Sequence, residues 1–425
     1  MSIVANMSPS AADNVWVLLS AALVLMMCIP GLFAFYGGLV RARNVLSIAA
    51  QCLALTALGI LMWWGFGYSL VFGKSFAGGI LGGVFGGWEH VGFAGLGVES
   101  SAYEPRISSL TFGLFQAMFA AITPALIIGA VAERMRFWAV MLFSALWTVG
   151  VYYPVAHAVW GATGLFAGLA NEGAPWKAID FAGGIVVHMT SGWSALLLCI
   201  LVGPRVGFGK RPMPPHSMML CVMGTGLLWT GWYGFNAGSA LAADGVAIQA
   251  FLTTTLGASV AMLVWGAIEG VHRGKPSVLG LCSGAIAGLA TITNAAGFIS
   301  GASAVLVGVV ASVISYLACS VVKPLLGYDD ALDTFGVHGV GGTLGALAAA
   351  FLVSPTVHPA GAALVEKGLV KGQLWAMAGC VVLSLVGTWL IAKLVDVLVG
   401  LRVSEDQEAQ GLDIADHNEE GYNHG

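Results

Sequence analysis

Charged residues are scarce in this chain of 425 residues. Asp, Glu, Lys and Arg make up 9% of the sequence, whereas hydrophobic residues make up 58% and the mean hydropathy is +0.87. A soluble domain of this size does not need so many apolar residues to fill its core. The composition therefore excludes an ordinary soluble protein and predicts an integral membrane protein surrounded by the lipid bilayer.

Motifs for catalysis, metal binding and disulfide formation are also lacking. The seven cysteines fall within apolar segments without the spacing of metal ligands, so we expect small buried residues and neither a disulfide nor a metal site. The sequence contains no pairing of a nucleophile with a base and no phosphate loop, and Glu133 and Glu269 beside arginines are interpreted as structural. We predict no enzyme, no cofactor and no nucleic-acid partner.

Long apolar segments recur along the chain, close to or above the roughly 20 residues that cross a bilayer as a helix. They lack the alternation of barrel strands, and the 60 glycines suit close helix packing in lipid. We predict an all-α polytopic membrane protein with eleven transmembrane helices, over residues 16–39, 47–72, 110–131, 139–166, 181–202, 218–241, 247–271, 278–295, 302–322, 335–353 and 374–399. Pro30, Pro124 and Pro154 predict kinks in three of them.

The basic residues are divided unevenly between the two ends of these spans. Of the 17 lysines and arginines, eleven lie in turns after odd-numbered spans, five lie on the other side and Lys393 lies within the last span. By the positive-inside rule the C-terminus is cytoplasmic and the N-terminus outside. The polar segment 1–14 has no basic region, so we expect the first span to be retained and not cleaved as a signal.

Two histidines lie inside apolar segments, each shortly after an aspartate: Asp180 precedes His188 in the fifth span, and Asp333 precedes His338 in the tenth. Ionisable groups at membrane depth are costly and usually face a cavity or pathway. Because five is an odd number, spans one to five and six to ten enter the membrane in opposite orientations. This pattern predicts two inverted five-helix repeats, which place a substrate site at their interface, where the two histidines are expected to meet.

The predicted organisation is therefore a membrane domain over residues 1–400, followed by a tail over residues 401–425. Within the membrane domain the inverted repeats cover about 15–203 and 217–354, and a final long helix covers about 374–400.

Four runs of residues resemble signatures of one known family. They are IPGLFAFYGG at 29–38, DFAGGIVVH at 180–188, GWYGFNAGS at 231–239 and DTFGVHGV at 333–340. They resemble the ammonium transporters of the Amt/Mep/Rh superfamily, the Amt branch in particular, and the likeness extends from the first span to the tail. The resemblance implies nitrogen uptake by a homotrimeric transmembrane transporter or channel for ammonium and ammonia in the cell (inner) membrane.

The resemblance also implies roles for individual residues. His188 and His338 match the paired pore histidines, which pass a small hydrogen-bonding molecule or a proton along an apolar conduit. The alternative is that each is a core histidine satisfied by a neighbour. Phe119 and Phe235 match the stacked phenyl rings that gate the pore.

The outer recruitment site implied by the resemblance consists of Trp160 and Ser239, with Phe119 and Asp180 beside them. An indole face attracts ammonium by a cation–π interaction worth ~0.5 to 2 kcal/mol, and a hydroxyl accepts one of the N–H bonds. On spacing alone, Trp160 would instead be an interfacial anchor. Gln116, Trp232, Thr293 and Asp333 are expected to support the site, and Asn294 departs from the proline that the family pattern leads us to expect.

The two aspartates lie at the starts of their spans, where a carboxylate caps a helix and is favoured by its dipole. We interpret Asp333 as such a cap. Asp180 matches the family's aspartate below the outer vestibule, where capping coexists with a negative field that favours a cation, without direct contact with the ion.

The expected path is capture of ammonium, loss of a proton near the phenyl gate and passage of ammonia beside the histidines. A neutral ammonia channel and net charge movement with coupled proton transfer both remain open, and we favour the second. A carbon dioxide channel is a further alternative.

The tail resembles a regulatory segment that meets a PII-type protein, against the alternative of a plain solubilising tail. A sensor (transceptor) that signals through this tail is the main competing function, disfavoured because only 25 residues follow Gly400.

Overall fold

The computed structural model describes residues 8–75 and 78–422, which form a bundle of long helices without a β-strand in these ranges. Parts of the predicted polar start and of the predicted tail, residues 1–7 and 423–425, lie outside the described residues. We label the membrane helices α1 (Ala11–Leu39), α2 (Ala42–Phe72), α3 (Ser109–Val131), α4 (Phe137–Trp160), α5 (Gly184–Val202), α6 (Met218–Asn236), α7 (Gly245–Arg273), α8 (Val278–Ile292), α9 (Gly301–Leu326), α10 (Phe335–Leu352) and α11 (Leu369–Val399).

Within the described ranges, nine of these helices are long and apolar enough to cross a membrane, and α6 and α8 lie outside those nine. The predicted all-α polytopic membrane fold is confirmed. The count of eleven transmembrane helices stays a prediction, although α6 and α8 coincide with the sixth and eighth predicted spans.

Serine side chains begin several of these helices. The hydroxyls of Ser108, Ser217, Ser277 and Ser300 each accept a hydrogen bond from the backbone N–H three residues further on. These bonds satisfy N–H groups that the first turn of a helix leaves without a partner, which matters most where water is scarce.

Several membrane helices are irregular, as the prolines predict only in part. The backbone of α1 leaves helical geometry at Ile29, just before Pro30, whereas α3 continues through Pro124. Wider π-helical turns open both α5 and α10, over Gly184–Met189 and Phe335–Gly339. Because such turns displace side chains from regular helical positions, they are frequent at functional sites.

The helices α5 and α10 cross in direct backbone contact. A Cβ atom added to Gly192 would lie 2.0 Å from the backbone nitrogen of Gly339, and one added to Gly342 would lie 2.7 Å from the carbonyl oxygen of Gly184. Only glycine allows so close an approach. The crossing is adjacent in sequence to His338 and one helical turn from His188.

We call the end of the bundle that carries Trp160 and Ser239 the vestibule face, and the opposite end the tail face. Residues 401–422 pack against the tail face and include two short helices. The carboxylate of Glu408 accepts the backbone N–H of Val206 at 2.6 Å, and that of Asp413 accepts the N–H of Ser47 at 2.8 Å. The tail is therefore docked on the membrane domain and not simply solvated.

A buried ion network also lies at the tail face. Arg205 bonds Asp329 through two nitrogens, at 2.8 and 2.9 Å, and bonds Glu133 at 3.1 Å. Burial opposes ionisation of Glu133 and Asp329, but hydrogen bonds and charges from Arg41 and Arg205 lower the pKa of Glu133, and those from Arg205 lower that of Asp329. Both carboxylates are thus ionised and paired at neutral pH.

Candidate functional site

The structure places the two predicted histidines side by side. The Nδ1 atoms of His188 and His338 lie 3.2 Å apart, and their rings are nearly parallel, with centroids 5.2 Å apart and planes inclined by 14°. One Nδ1 must donate and the other accept, so the two imidazoles have complementary protonation at this contact. Each histidine lies in the π-helical turn that opens its helix.

A narrow apolar cavity surrounds this pair, and the volume within it that the centre of a water-sized molecule can occupy is ≈ 10 Å³. A volume of this size holds about one such molecule. The polar groups of its wall besides the histidines are already engaged, because the Tyr36 hydroxyl donates to the Leu126 carbonyl and the Trp232 indole donates to Thr293. Within the described residues, His188 Nε2 has no hydrogen-bond partner.

A second cavity of ≈ 120 Å³ lies towards the tail face and also has His338 in its wall, together with Asp333 and Thr334. The two cavities thus share His338. This arrangement gives a candidate conduit from the histidine pair towards the tail face.

Trp232 fixes the ring of His188 from one side. The two rings are stacked, with centroids 5.5 Å apart and planes inclined by 23°. The indole nitrogen of Trp232 donates to the Thr293 hydroxyl at 2.8 Å, and this hydroxyl donates to the Leu289 carbonyl at 2.7 Å. Thr293 therefore holds the tryptophan that packs on the histidine.

Phe119 and Phe235 lie in contact with each other on the vestibule side of the histidines. Their ring centroids are 4.4 Å apart, both side chains are buried, and Phe235 also stacks on His188 at 5.9 Å. Two apolar rings in contact exclude a hydrated ion and open only when a side chain changes rotamer.

The predicted recruitment residues lie beside this gate. The ring of Trp160 meets Phe119 edge to face, with centroids 6.0 Å apart, and its indole nitrogen donates to the Asp180 carbonyl at 2.8 Å. The hydroxyl of Ser239 donates to the Phe235 carbonyl at 2.8 Å, which leaves its oxygen able to accept a hydrogen bond. Gln116 lies one turn before Phe119 on α3, and its buried Oε1 has no partner among the described residues.

Asp180 caps α5 as predicted. Its Oδ1 accepts the N–H of Gly183 at 2.8 Å, and its Oδ2 accepts those of Ile185 and Val186 at 3.0 and 2.8 Å. Gly183 has φ +108°, a conformation that favours glycine, and this residue turns the chain back onto the carboxylate.

Comparison with known proteins decides the family. The profile of the Ammonium Transporter Family matches residues 15–422. A putative ammonium transporter of Methanothermobacter thermautotrophicus is 45% identical over 423 residues, which cover 97% of this chain and 98% of the relative. The chain belongs to the ammonium transporter family. The apolar helices and this membership make it a multi-pass membrane protein.

Solved structures of ammonium transporter family members have the same fold. The crystal structure of Saccharomyces cerevisiae Mep2 matches with a TM-score of 0.84 and 33% identity, over 95% of this chain and 89% of Mep2. A structure titled Sensor Amt Protein matches with a TM-score of 0.82 and 27% identity, over 96% of this chain and 98% of that protein.

One prediction about this ammonium transporter family member is wrong. Asp333 does not cap α10, because its backbone has φ +61° and its carboxylate bonds the ammonium group of Lys323. The cap is Asp330, whose oxygens accept the N–H groups of Thr334 and Phe335 at 3.0 and 2.7 Å. Asp330 precedes His338 by eight residues, the same spacing as from Asp180 to His188, and this equality was the signal that could have identified it.

Proposed function

We propose that this chain is a transmembrane ammonium transporter that conducts ammonia through a hydrophobic pore. The observation that carries the proposal is the contact between His188 and His338 inside a cavity with room for about one small molecule, below a closed pair of phenyl rings. An apolar space of this size, beside the unpaired Nε2 of His188, suits a small neutral molecule that both donates and accepts hydrogen bonds.

The first step is recruitment of ammonium at the vestibule face. The Trp160 ring attracts the cation with ~0.5 to 2 kcal/mol, and the Ser239 oxygen accepts one of its N–H bonds. The carboxylate of Asp180 adds a negative charge near Trp160, whose indole N–H donates to the backbone carbonyl of Asp180.

Loss of a proton is the second step. A bare cation at membrane depth costs between ~3 and 17 kcal/mol, depending on how it is measured, so the apolar pore does not conduct ammonium itself. Deprotonation beside Phe119 and Phe235 removes most of this cost. Potassium has no proton to lose and no N–H to donate, so the same path rejects it.

The fate of the proton separates two versions of the mechanism. In the neutral version it returns to the vestibule face, and in the electrogenic version it follows ammonia through the histidine pair. We favour the electrogenic version because a Nδ1 to Nδ1 distance of 3.2 Å is short enough for a hydrogen bond that transmits a proton.

Solid-supported-membrane electrophysiology on the purified protein in liposomes tests the proposal. Ammonium pulses should evoke a current that potassium pulses do not evoke, and His188→Ala or His338→Ala should abolish this discrimination. Absence of current together with a change of internal pH would refute the electrogenic version. Absence of both would refute ammonium transport.

A sensor that signals through its tail is the second candidate, favoured by the docked tail and by the likeness to the solved sensor Amt protein. A deletion of residues 401–425 that abolishes an ammonium response in cells, in a protein without detectable flux, would favour the sensor. Ammonium flux through the full-length chain in proteoliposomes would favour the transporter.

The remaining features of the proposal concern assembly and topology. We propose inverted repeats over about 15–203 and 217–354, supported by the equal spacing of Asp180 and Asp330 from their histidines. The homotrimer, the PII-type partner at the tail face, and the inner membrane location rest on the family resemblance. The cytoplasmic C-terminus rests on the distribution of basic residues.

A further inference from the structure

Three peptide groups at Asp180 are each bonded by a side chain from another element: the N–H and the carbonyl of Ile179, and the carbonyl of Asp180. The Ile179 carbonyl accepts the amide nitrogens of Asn294 and Gln373, both at 2.9 Å. The Ile179 N–H donates to the amide oxygen of Gln373 at 2.9 Å, and the Asp180 carbonyl accepts the indole N–H of Trp160 at 2.8 Å. The backbone is thus fixed on both sides of the aspartate.

Asn294 holds this segment from the loop after α8, and Gln373 holds it from α11. Both side chains are fully buried, as is Ile179. The backbone carbonyl of Asn294 also accepts the N–H of Phe181 at 3.1 Å, so Asn294 bonds the residues on both sides of Asp180. Buried amides that bond a peptide group restrict its orientation, because an alternative orientation leaves polar atoms unpaired.

The packing around Asn294 is as tight as its hydrogen bonds suggest. A Cβ atom added to Gly184 would lie 2.4 Å from the Cβ of Asn294 and 2.7 Å from its Oδ1. The first residue of α5 therefore rests directly on this asparagine. Since the carboxylate of Asp180 caps the same helix start, Asn294 contacts both the neighbours of the capping residue and the capped turn.

Asn294 also follows Thr293, the residue that holds Trp232 against His188. Two neighbouring residues thus position two parts of the path: Thr293 positions the tryptophan beside the histidine, and Asn294 positions the turn that carries Asp180.

We propose that Asn294 and Gln373 are positioning residues for ammonium recruitment, because together they clamp the Ile179 peptide and so fix Asp180 and its bond to Trp160. A proline at position 294, which the family pattern leads us to expect, has no side-chain amide and cannot make the bond to Ile179. The clamp is therefore built from a residue in which this chain departs from that pattern. The inference rests on the proposed function, since it assigns the clamp to the substrate affinity of that transporter.

The test compares concentration dependence of ammonium-evoked currents in the full-length protein and three variants. Asn294→Ala should raise the ammonium concentration for half-maximal current roughly fivefold, the size expected for one neutral hydrogen bond. Gln373→Ala should shift it in the same direction, and both should lower the maximal current by less than about twofold. Gln249→Ala is the matched control: its amide donates to the Ile299 carbonyl at 2.8 Å near the same face but does not bond the Asp180 segment, so its half-maximal concentration should not change.

The double variant Asn294→Ala with Gln373→Ala sharpens the test. Each single variant leaves the Ile179 carbonyl one amide donor, whereas the double variant leaves it none, so the double shift should exceed the product of the single shifts. Half-maximal concentrations within about twofold of the parent in both single variants would overturn the clamp, as would an equal shift in Gln249→Ala. If Asn294→Ala does not fold, the result for Gln373→Ala decides in the same way. A parent protein without ammonium current would refute the proposed function instead.

Discussion

The substitution Gly192→Ala tests whether the crossing of α5 and α10 sets the geometry of the histidine pair. The new Cβ would lie 2.0 Å from the backbone nitrogen and 2.2 Å from the Cα of Gly339. Ordinary van der Waals contact begins at 3.4 Å, so the two helices must separate by about 1.4 Å. Backbone atoms on both sides cannot move aside as a flexible side chain can.

This separation acts directly on the site, because His338 immediately precedes Gly339. The Nδ1 atoms of the two histidines are 3.2 Å apart, and an added displacement of this order exceeds the range of a hydrogen bond. We expect the maximal ammonium current to fall on the order of tenfold to a hundredfold, as for ångström displacements in other positioned sites. The free energy of unfolding should fall by about 1 to 3 kcal/mol, the usual cost of overpacking.

Gly226→Ala provides the control, because Gly226 lies on the exposed side of α6 and a Cβ there has no neighbour within 4 Å among the described residues. Its current and selectivity should equal those of the parent. Currents are compared at equal amounts of folded protein, measured by size-exclusion chromatography. A Gly192→Ala variant with parental current and with parental discrimination against potassium would refute the reasoning.

Three further predictions follow from the same structure. Asp330→Ala should lower the free energy of unfolding by about 3 kcal/mol, because two charge-assisted hydrogen bonds to α10 are lost, whereas Asp333→Ala should lower it by less than about 1 kcal/mol. Both variants are checked by melting in detergent with a thiol-reactive dye, which reports exposure of the seven buried cysteines. Equal melting temperatures for the two variants would contradict the assignment of the cap. The pKa values of Glu133 and Asp329 are lowered in the folded protein, so the stability that these carboxylates contribute is present above their ordinary pKa values of about 4 and is lost as the pH falls through the lowered values. The melting temperature should therefore fall with decreasing pH across this range. It should fall less in Arg205→Met, which should already be destabilised by about 3 kcal/mol at pH 7. Trp160→Leu should raise the half-maximal ammonium concentration roughly fivefold and Trp160→Phe less, in the same electrophysiological assay, and an unchanged value in Trp160→Leu would exclude a cation–π site there.

Sequence reasoning reached the class of fold and the meeting of the two histidines because both depend on patterns along the chain. Long apolar segments indicate membrane helices, and the odd number of spans in each predicted repeat brings the fifth and tenth spans together. It failed at Asp333, where the aspartate nearest to His338 was taken for the cap. The backbone at Asp333 instead turns its carboxylate to Lys323, a contact made by the end of α9 and not visible in the local sequence.

The clamp around Asp180 lay beyond prediction for a different reason. Asn294 and Gln373 are 115 and 194 residues from Ile179, and they belong to a loop and a helix whose own sequences give no indication of a shared partner. Only the packed structure brings three distant peptide and amide groups to one point. The departure from proline at position 294 was visible in the sequence, but its consequence was not.

The two capping aspartates also bear on which species crosses the centre of the pore. His188 and His338 lie within the first turns of α5 and α10, so two helix N-termini, each equivalent to roughly half a positive charge, converge on the histidine pair. Unopposed, these ends would repel ammonium and disfavour a protonated imidazole. Asp180 and Asp330 bond the same first-turn N–H groups and offset the positive ends from opposite faces of the membrane. Two half-charges amount to about one positive charge and face two carboxylates, so the positive ends are more than offset. Under the proposed function, this excess of negative charge favours a proton passing between the two imidazoles, as the electrogenic version requires.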